Sequence, residues 1–204
     1  MYEKIVKRMI DFILSIFAII FLCPLLLLIV FAIKIDDYGP VLFTQNRIGK
    51  DNKIFKIYKF RTMKIATPSD TPTHLLENPE QYITKVGAVL RKTSLDELPQ
   101  IFNIFIGDMS IIGPRPALWN QDDLIELRSE YGVDKIRPGL TGWAQINGRD
   151  ELSIEEKVRY DTEYIENLSF IFDIKCFFGT IFSVLKSDGV VEGKIAESKE
   201  KVTK

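Results

Sequence analysis

The sequence predicts an α+β fold, mainly helical, with an apolar membrane element at its N-terminus. Three observations predict it. Residues 12–33 form an uncharged apolar run, FILSIFAIIFLCPLLLLIVFAI. Short strand-like segments flanked by turn residues fall between residues 41 and 60. From residue 81 onward, segments of helical spacing alternate with Gly- and Pro-rich turns.

Composition narrows the chemistry. The chain has 204 residues, 46% of them hydrophobic, enough for one catalytic domain and a membrane element. Its net charge of -1 gives no reason to expect a nucleic-acid partner. The two cysteines, Cys23 and Cys176, lie in or beside apolar runs without metal-ligand spacing and read as free thiols in a reducing compartment. The single histidine, His74, argues against a Ser-His-Asp hydrolase, a His/Cys zinc site and a His-ligated haem. Chemistry is left to carboxylates, basic groups and a hard metal ion.

The apolar run is long enough to cross a bilayer, and a plain transmembrane anchor is the simplest reading of it. Pro24 falls near its middle, where it removes one helical hydrogen bond. Lys4, Lys7 and Arg8 precede the run, and Lys34, Arg47, Lys50, Lys53 and Lys56 follow it. A single span would place one of these basic clusters on the wrong side of the membrane. A re-entrant helix-break-helix, turning at Cys23 and Pro24, keeps both on the cytoplasmic face. Each arm would reach about 18 Å, roughly one leaflet. The hairpin over residues 1–36 is therefore the expected arrangement, followed by a catalytic domain at 37–186 and a flexible tail at 187–204.

Within the domain, residues 41–44 and 54–60 read as strands joined by the turn at 49–52. Residues 67–79 carry three prolines and read as a mobile loop. Helices are expected at 81–91 and 94–106, the second closed by Gly107. GPRP at 113–116 is a stiff turn, 122–131 a surface helix, and 137–149 (RPGLTGWAQINGR) a glycine-rich loop. Ser153 with Glu156 forms a capping box. In 170–186, Ile171, Ile174, Phe178, Ile181, Phe182 and Leu185 recur near helical spacing. Such a helix either faces the core or lies in the membrane interface. The charged tail after residue 186 has little to bury.

Two groups of residues stand out chemically. Asp96 and Glu97 are adjacent acids at the start of an expected helix. Acids are common there simply because they complement the dipole and cap free N–H groups. The same position keeps a carboxylate ionised, ready to act as nucleophile or metal ligand. Basic residues crowd 47–64 (Arg47, Lys50, Lys53, Lys56, Lys59, Arg61, Lys64), and Arg91, Lys92, Arg115, Arg137 and Arg149 sit near turns. They suit a solvated or lipid-facing surface, or a phosphate pocket with converging donors. Arg115 between two prolines, and Arg149 after Asn147 and Gly148, are held in stiff or tight segments. No Walker A or G-x-G-x-x-G pattern is present.

Five stretches together resemble the monotopic phosphoglycosyl transferases, a bacterial sugar transferase family. They are GPVLFTQNRIGK (39–50), FKIYKFRTM (55–63), SLDELPQIFNIFIGDMSIIGPRP (94–116), RPGLTGWAQINGR (137–149) and the YD of 160–161. They occur in the family's order, and the chain is similar to members consisting of the catalytic unit alone. The resemblance implies a re-entrant helix in one leaflet of the bacterial inner membrane, on its cytoplasmic face, and interfacial amphipathic helices around the active site. It implies transfer of a phosphosugar from a UDP-sugar to polyprenyl (undecaprenyl) phosphate, with release of UMP and with Mg²⁺ as cofactor. It implies Asp96 as the covalent nucleophile, with Glu97 its partner at the metal or in proton handling. Lys59, Arg91, Arg115 and Arg149 become phosphate and nucleotide contacts, and Asp161 a supporting acid. Cys23 departs from the serine that the family often places before the proline of the membrane break. A thiol is the weaker hydrogen-bonding group for the freed backbone. The sugar, the glycan pathway and any homo-oligomer are left open. The rival readings are a non-catalytic membrane-anchored scaffold of a polysaccharide machine, and a hydrolase that uses water as acceptor.

Overall fold

The computed structural model describes residues 2–67, 79–148 and 151–186. His74, Arg149, most of the loop expected at 67–79 and the expected tail lie outside the described residues.

The apolar run is one helix, α1 (Arg8–Asp36), entered through a π-helical turn at Tyr2–Lys7. Pro24 sits inside it. The arrangement expected at Cys23 and Pro24 was two helices with a break, whereas helical hydrogen bonding resumes on both sides of the proline. Long apolar helices tolerate one missing bond where neighbouring groups compensate. Much of the mid-helix surface is bare: Phe17, Ile20, Phe21, Leu27 and Leu28 are each more than half exposed. The two ends are docked. Arg8 donates to the carbonyls of Ile104 and Phe105 at 2.6 and 2.8 Å, and Phe12 stacks on Phe105. Asp11 accepts from the Ser110 hydroxyl and the Ile111 amide. At the other end, Ile29 and Ile33 enter a core with Phe60 and Leu90, and Asp36 accepts from the Val86 amide.

Strands β1 (Leu42–Ile48) and β2 (Ile54–Phe60) form an antiparallel hairpin with Leu42 opposite Phe60 and Ile48 opposite Ile54. β1 is longer than the segment expected at 41–44, because Gln45–Ile48 continues the pairing up to the turn. Asp51 and Asn52 take left-handed φ values of 55° and 56° in that turn, a conformation short polar side chains tolerate. Helix α2 (Lys85–Lys92) is capped by Thr84, whose hydroxyl accepts from the Gly87 amide at 2.9 Å. It lies so close to the end of β2 that a Cβ at Gly87 would stand 2.1 Å from the Thr62 carbonyl oxygen.

The helix expected at 94–106 is divided. Leu95–Glu97 is a single 3₁₀ turn, entered through Ser94 at φ 56°, and α3 (Gln100–Ile106) starts only after Pro99. Pro99 lacks an N–H and suits a helix start rather than an interior. Gly107 closes α3 at φ 100°, as expected.

Strands β3 (Ser110–Ile112) and β4 (Gly139–Thr141) pair in parallel, a pairing across sequence that local pattern does not announce. The glycines of 137–142 let the GPRP turn approach backbone to backbone. Gly113 N–H donates to Thr141, Gly139 N–H donates to Pro114, and a Cβ at Gly139 would lie 2.1 Å from the Gly113 nitrogen. Helices α4 (Asp122–Glu130), α5 (Trp143–Ile146), α6 (Ile154–Glu166) and α7 (Phe170–Lys186) complete the domain. The capping box of Ser153 and Glu156 is formed in both directions.

Helix α7 turns Asp173 and Cys176 inward. Asp173 accepts from Tyr2, Lys7 and Tyr164 at 2.5, 2.6 and 2.6 Å, clamping the entry of α1 to the domain. The apolar stripe read from the sequence faces out instead: Ile171, Ile174, Phe178, Ile181 and Phe182 are all exposed. Both cysteines are free.

Candidate active site

The Asp96 and Glu97 pair sits on the 3₁₀ turn between Leu95 and Leu98, and those two leucines pack into the core built on α1. The leucines anchor the turn against the apolar helix, and the carboxylates between them meet a set of cations. Lys59, near the end of β2, donates to Glu97 Oε1 at 2.8 Å, and Arg115 reaches the same oxygen at 3.3 Å. Glu97 thus ties together the hairpin and the GPRP turn, two segments far apart in the chain. Arg91, on the last turn of α2, donates through Nε to the Thr62 hydroxyl at 2.9 Å. Its charge, with that of Lys59, acts on Asp96.

Among the described residues, Asp96 makes no ion pair within 4.0 Å. Burial pushes its carboxyl above the usual range, and the neighbouring Glu97 adds to that; Lys59 and Arg91 pull it back. This corrects the expectation that a helix N-terminus keeps Asp96 ionised. No α-helix starts at this position, so the cations carry that role.

The crowd of basic residues at 47–64 separates into distinct tasks. Lys50 pairs with Glu3 at 3.0 Å, Arg61 pairs with Asp37 at 3.0 Å, and Lys64 donates to the Gln81 carbonyl. Lys59 joins Glu97, and Arg47 borders the same place. Arg47 is pushed down to about 10 by burial first and then by the charge of Arg115, while Glu97 opposes the fall. It donates to the Pro116 carbonyl at 3.1 Å and to Gln45 at 3.0 Å.

Asp161 is fully buried, and its nearest partner is a residue that sequence reading passed over. Arg128 donates to Asp161 Oδ2 through Nε at 3.0 Å and Nη2 at 2.6 Å. Its third nitrogen, Nη1, donates to the Arg115 carbonyl at 2.8 Å. Asp161 therefore reaches the carboxylate pair through Arg128 and the GPRP turn. Burial raises the Asp161 carboxyl, and the guanidinium opposes it. Nothing near Arg128 in sequence marks it, since it lies on a polar helix of mixed charge; only its tertiary partner, 33 residues away, distinguishes it. Arg47 had a signal, its place in the QNRIG stretch. Of the residues singled out from sequence, the structure brings together Asp96, Glu97, Lys59, Arg91 and Arg115. Arg149 lies outside the described residues.

As to a metal, no cluster of three or more His, Cys, Asp or Glu groups is present among the described residues. The adjacent carboxylates of Asp96 and Glu97 fit Mg²⁺ in another way. That ion is commonly held by one or two carboxylates together with the phosphates of a substrate.

A pair of adjacent acids, Glu97 bonded to Lys59 and Arg115 and Asp96 under the charge of Lys59 and Arg91, thus sits on a turn anchored to an exposed apolar helix. The profile of the bacterial sugar transferase family matches residues 2–187, and the chain belongs to that family. It is 42% identical to the UDP-glucose:undecaprenyl-phosphate glucose-1-phosphate transferase of Escherichia coli, over 88% of this chain and 40% of that protein. It is 39% identical to the exopolysaccharide production protein ExoY of Sinorhizobium fredii, over 90% of this chain and 87% of that one. With the UDP-N-acetylgalactosamine-undecaprenyl-phosphate N-acetylgalactosaminephosphotransferase of Aeromonas hydrophila it shares 37% identity, over 90% of this chain and 44% of the relative. The chain thus spans less than half of the first and third relatives and most of the second.

Proposed function

We propose that this protein transfers a sugar phosphate from a UDP-sugar to polyprenyl (undecaprenyl) phosphate at the cytoplasmic face of the bacterial inner membrane. The transfer is the first membrane step in assembling a glycan. The observation that carries the reading is the setting of Asp96: a carboxylate next to Lys59 and Arg91, beside a glutamate that holds Lys59 and Arg115, on a turn seated against α1. Relatives named for undecaprenyl-phosphate sugar phosphotransfer support the substrate class. They are named for different sugars, so the sugar stays open.

In the first half-reaction, an Asp96 carboxylate oxygen attacks the sugar-linked phosphorus of the donor. The P–O bond to UMP breaks, and UMP leaves with the electron pair. The phosphosugar is then an acyl phosphate on Asp96. In the second, an oxygen of polyprenyl phosphate attacks the same phosphorus, the bond to Asp96 breaks, and the carboxylate is restored. Lys59, Arg91, Arg115 and Arg149 are assigned to the non-bridging oxygens, where fixed cations stabilise developing charge. Asp96 and Glu97 would hold Mg²⁺, which when bound would neutralise the diphosphate charge. Glu97 is already shared by two cations, so its first task is to fix Lys59 and Arg115. A covalent relay suits one soluble and one lipid substrate, because each occupies the same small site in turn.

Re-entry of α1 is part of the proposal. A straight helix of 29 residues is about 43 Å long, more than a bilayer core of about 30 Å. A spanning helix would carry its far end away from the domain that holds its near end. Here Arg8 and Phe12 rest on the end of α3, and Ile29 and Ile33 rest on β2 and α2 of the same domain. The bare stretch between them, centred on Pro24, is what one leaflet would cover. The exposed aromatic face of α7 suits the interface beside it.

Two measurements test this reading. UMP release from a panel of UDP-sugars should require both Mg²⁺ and polyprenyl phosphate for turnover. Release that proceeds equally with water alone would make the protein a hydrolase. Cysteine tags at residues 4 and 38 should both label from the cytoplasmic side, and labelling on opposite sides would make α1 a span.

A further inference from the structure

We propose that Arg128 is a positioning residue for the transfer reaction: through the backbone of the GPRP turn it sets the direction of Arg115, and Asp161 serves the reaction only by holding Arg128. The proposal rests on the function proposed above and adds a residue to its machinery.

The argument begins with the turn. Pro114 and Pro116 fix their own φ near −65°, and the residues before them are confined to extended conformations. Within that extended range the Arg115 carbonyl, and the Pro116 carbonyl beyond it, still have room to turn, and ψ decides where each points. Both carbonyls are held by guanidiniums, that of Arg128 buried and that of Arg47 partly so. Arg128 Nη1 donates to the Arg115 carbonyl at 2.8 Å, and Arg47 Nη1 donates to the Pro116 carbonyl at 3.1 Å. With φ of both prolines set by their rings, the Pro114 carbonyl held by the Gly139 amide and the next two carbonyls held by the arginines, the backbone that carries the Arg115 side chain is fixed. The Arg115 side chain, 34% exposed, then reaches Glu97 beside the nucleophile.

Arg128 has no other evident task at the site. Its side chain is 11% exposed and that of Asp161 1%, so neither is placed to touch substrate. A guanidinium is the one side chain able to serve both ends here: its fork grips the Asp161 carboxylate twice, and the third nitrogen reaches the turn. Lysine keeps the charge but cannot make all three bonds. Gly113, Gly139 and Gly142 complete the mount, since the strand behind the turn touches it backbone to backbone.

A double-mutant cycle on the full-length protein in lipid nanodiscs tests the idea. Arg128→Lys is made in the wild-type background and in Arg115→Met, with the donor kcat/KM for UMP release and the melting temperature read for each. In the wild-type background Arg128→Lys should lower kcat/KM by about 10- to 100-fold, the range of coupled neighbours. In Arg115→Met, which has no guanidinium left to aim, the further loss should be about 2-fold or less. The fall in melting temperature should be the same in both backgrounds. Equal losses of kcat/KM in the two backgrounds would reduce Arg128 to a structural residue and overturn the proposal. Should Arg128→Lys fail to fold, Asp161→Asn, which keeps the shape of the acid, takes its place with the same pattern expected. If the wild type releases no UMP from any UDP-sugar, the proposed function fails and this inference with it. If it does and the effects multiply independently, only the positioning role fails.

Discussion

Replacing Asp96 by asparagine is expected to lower phosphosugar transfer by at least about 1,000-fold, the scale seen when a covalent nucleophile is removed. The amide is nearly the same size, so the turn between Leu95 and Leu98 keeps its seat on α1 and the fold survives. What disappears is the nucleophilic oxygen. Donor affinity should change far less than turnover, because Lys59 and Arg115 are held by Glu97 rather than by Asp96. The check is single-turnover UMP release by purified wild type and variant, with the melting temperature as a folding control. A variant that still releases UMP at a tenth of the wild-type rate would remove Asp96 from the role of nucleophile.

The second large effect is on stability. Asp173→Ala should destabilise the protein by about 3–5 kcal/mol, the cost of leaving a buried charge without its partner. Asp173 accepts from Lys7, Tyr2 and Tyr164, and the Lys7 side chain is itself 10% exposed. Without the carboxylate, an ammonium and two hydroxyls lose their common acceptor where α7 meets the entry to α1. Adding Lys7→Met to Asp173→Ala should recover part of the loss, since the stranded charge is then gone. Denaturation of the three proteins in one detergent measures this. A double variant no better than the single one would show that the clamp is not electrostatic.

Local chemistry was legible from the sequence wherever a few neighbouring residues decide the outcome. Ser153 with Glu156 announces a helix start, Gly107 a helix end, and the strand-like run at 54–60 after the turn at 49–52 a strand; all three are formed. The Asp96 and Glu97 pair is visible in the sequence, but the element that carries it is not the expected α-helix. Pro99 delays the α-helix, so the acids ride a 3₁₀ turn and depend on Lys59 and Arg91 rather than on a helix dipole. Pro24 marks one missing hydrogen bond, but local sequence does not say that helical bonding continues on both sides of it. Tertiary partnerships stayed hidden. Arg128 and Asp161 each look like surface charges on polar helices, and only the packing of α4 on α6 makes them a buried pair. The parallel pairing of β3 with β4 is equally silent, since its cause is the backbone contact of Gly113 with Gly139. In α7 the periodicity was right, but it could not say which face looks inward. Asp173 and Cys176 do, and the aromatic stripe does not.

The most direct measurement is the intact mass of the protein after incubation with Mg²⁺ and the UDP-sugar that supports turnover, with polyprenyl phosphate withheld. A sugar-phosphate adduct should form on the wild type, be absent from Asp96→Asn, and vanish when polyprenyl phosphate is added. UMP release without any adduct, or an equal adduct on Asp96→Asn, would contradict attack by this carboxylate on phosphorus.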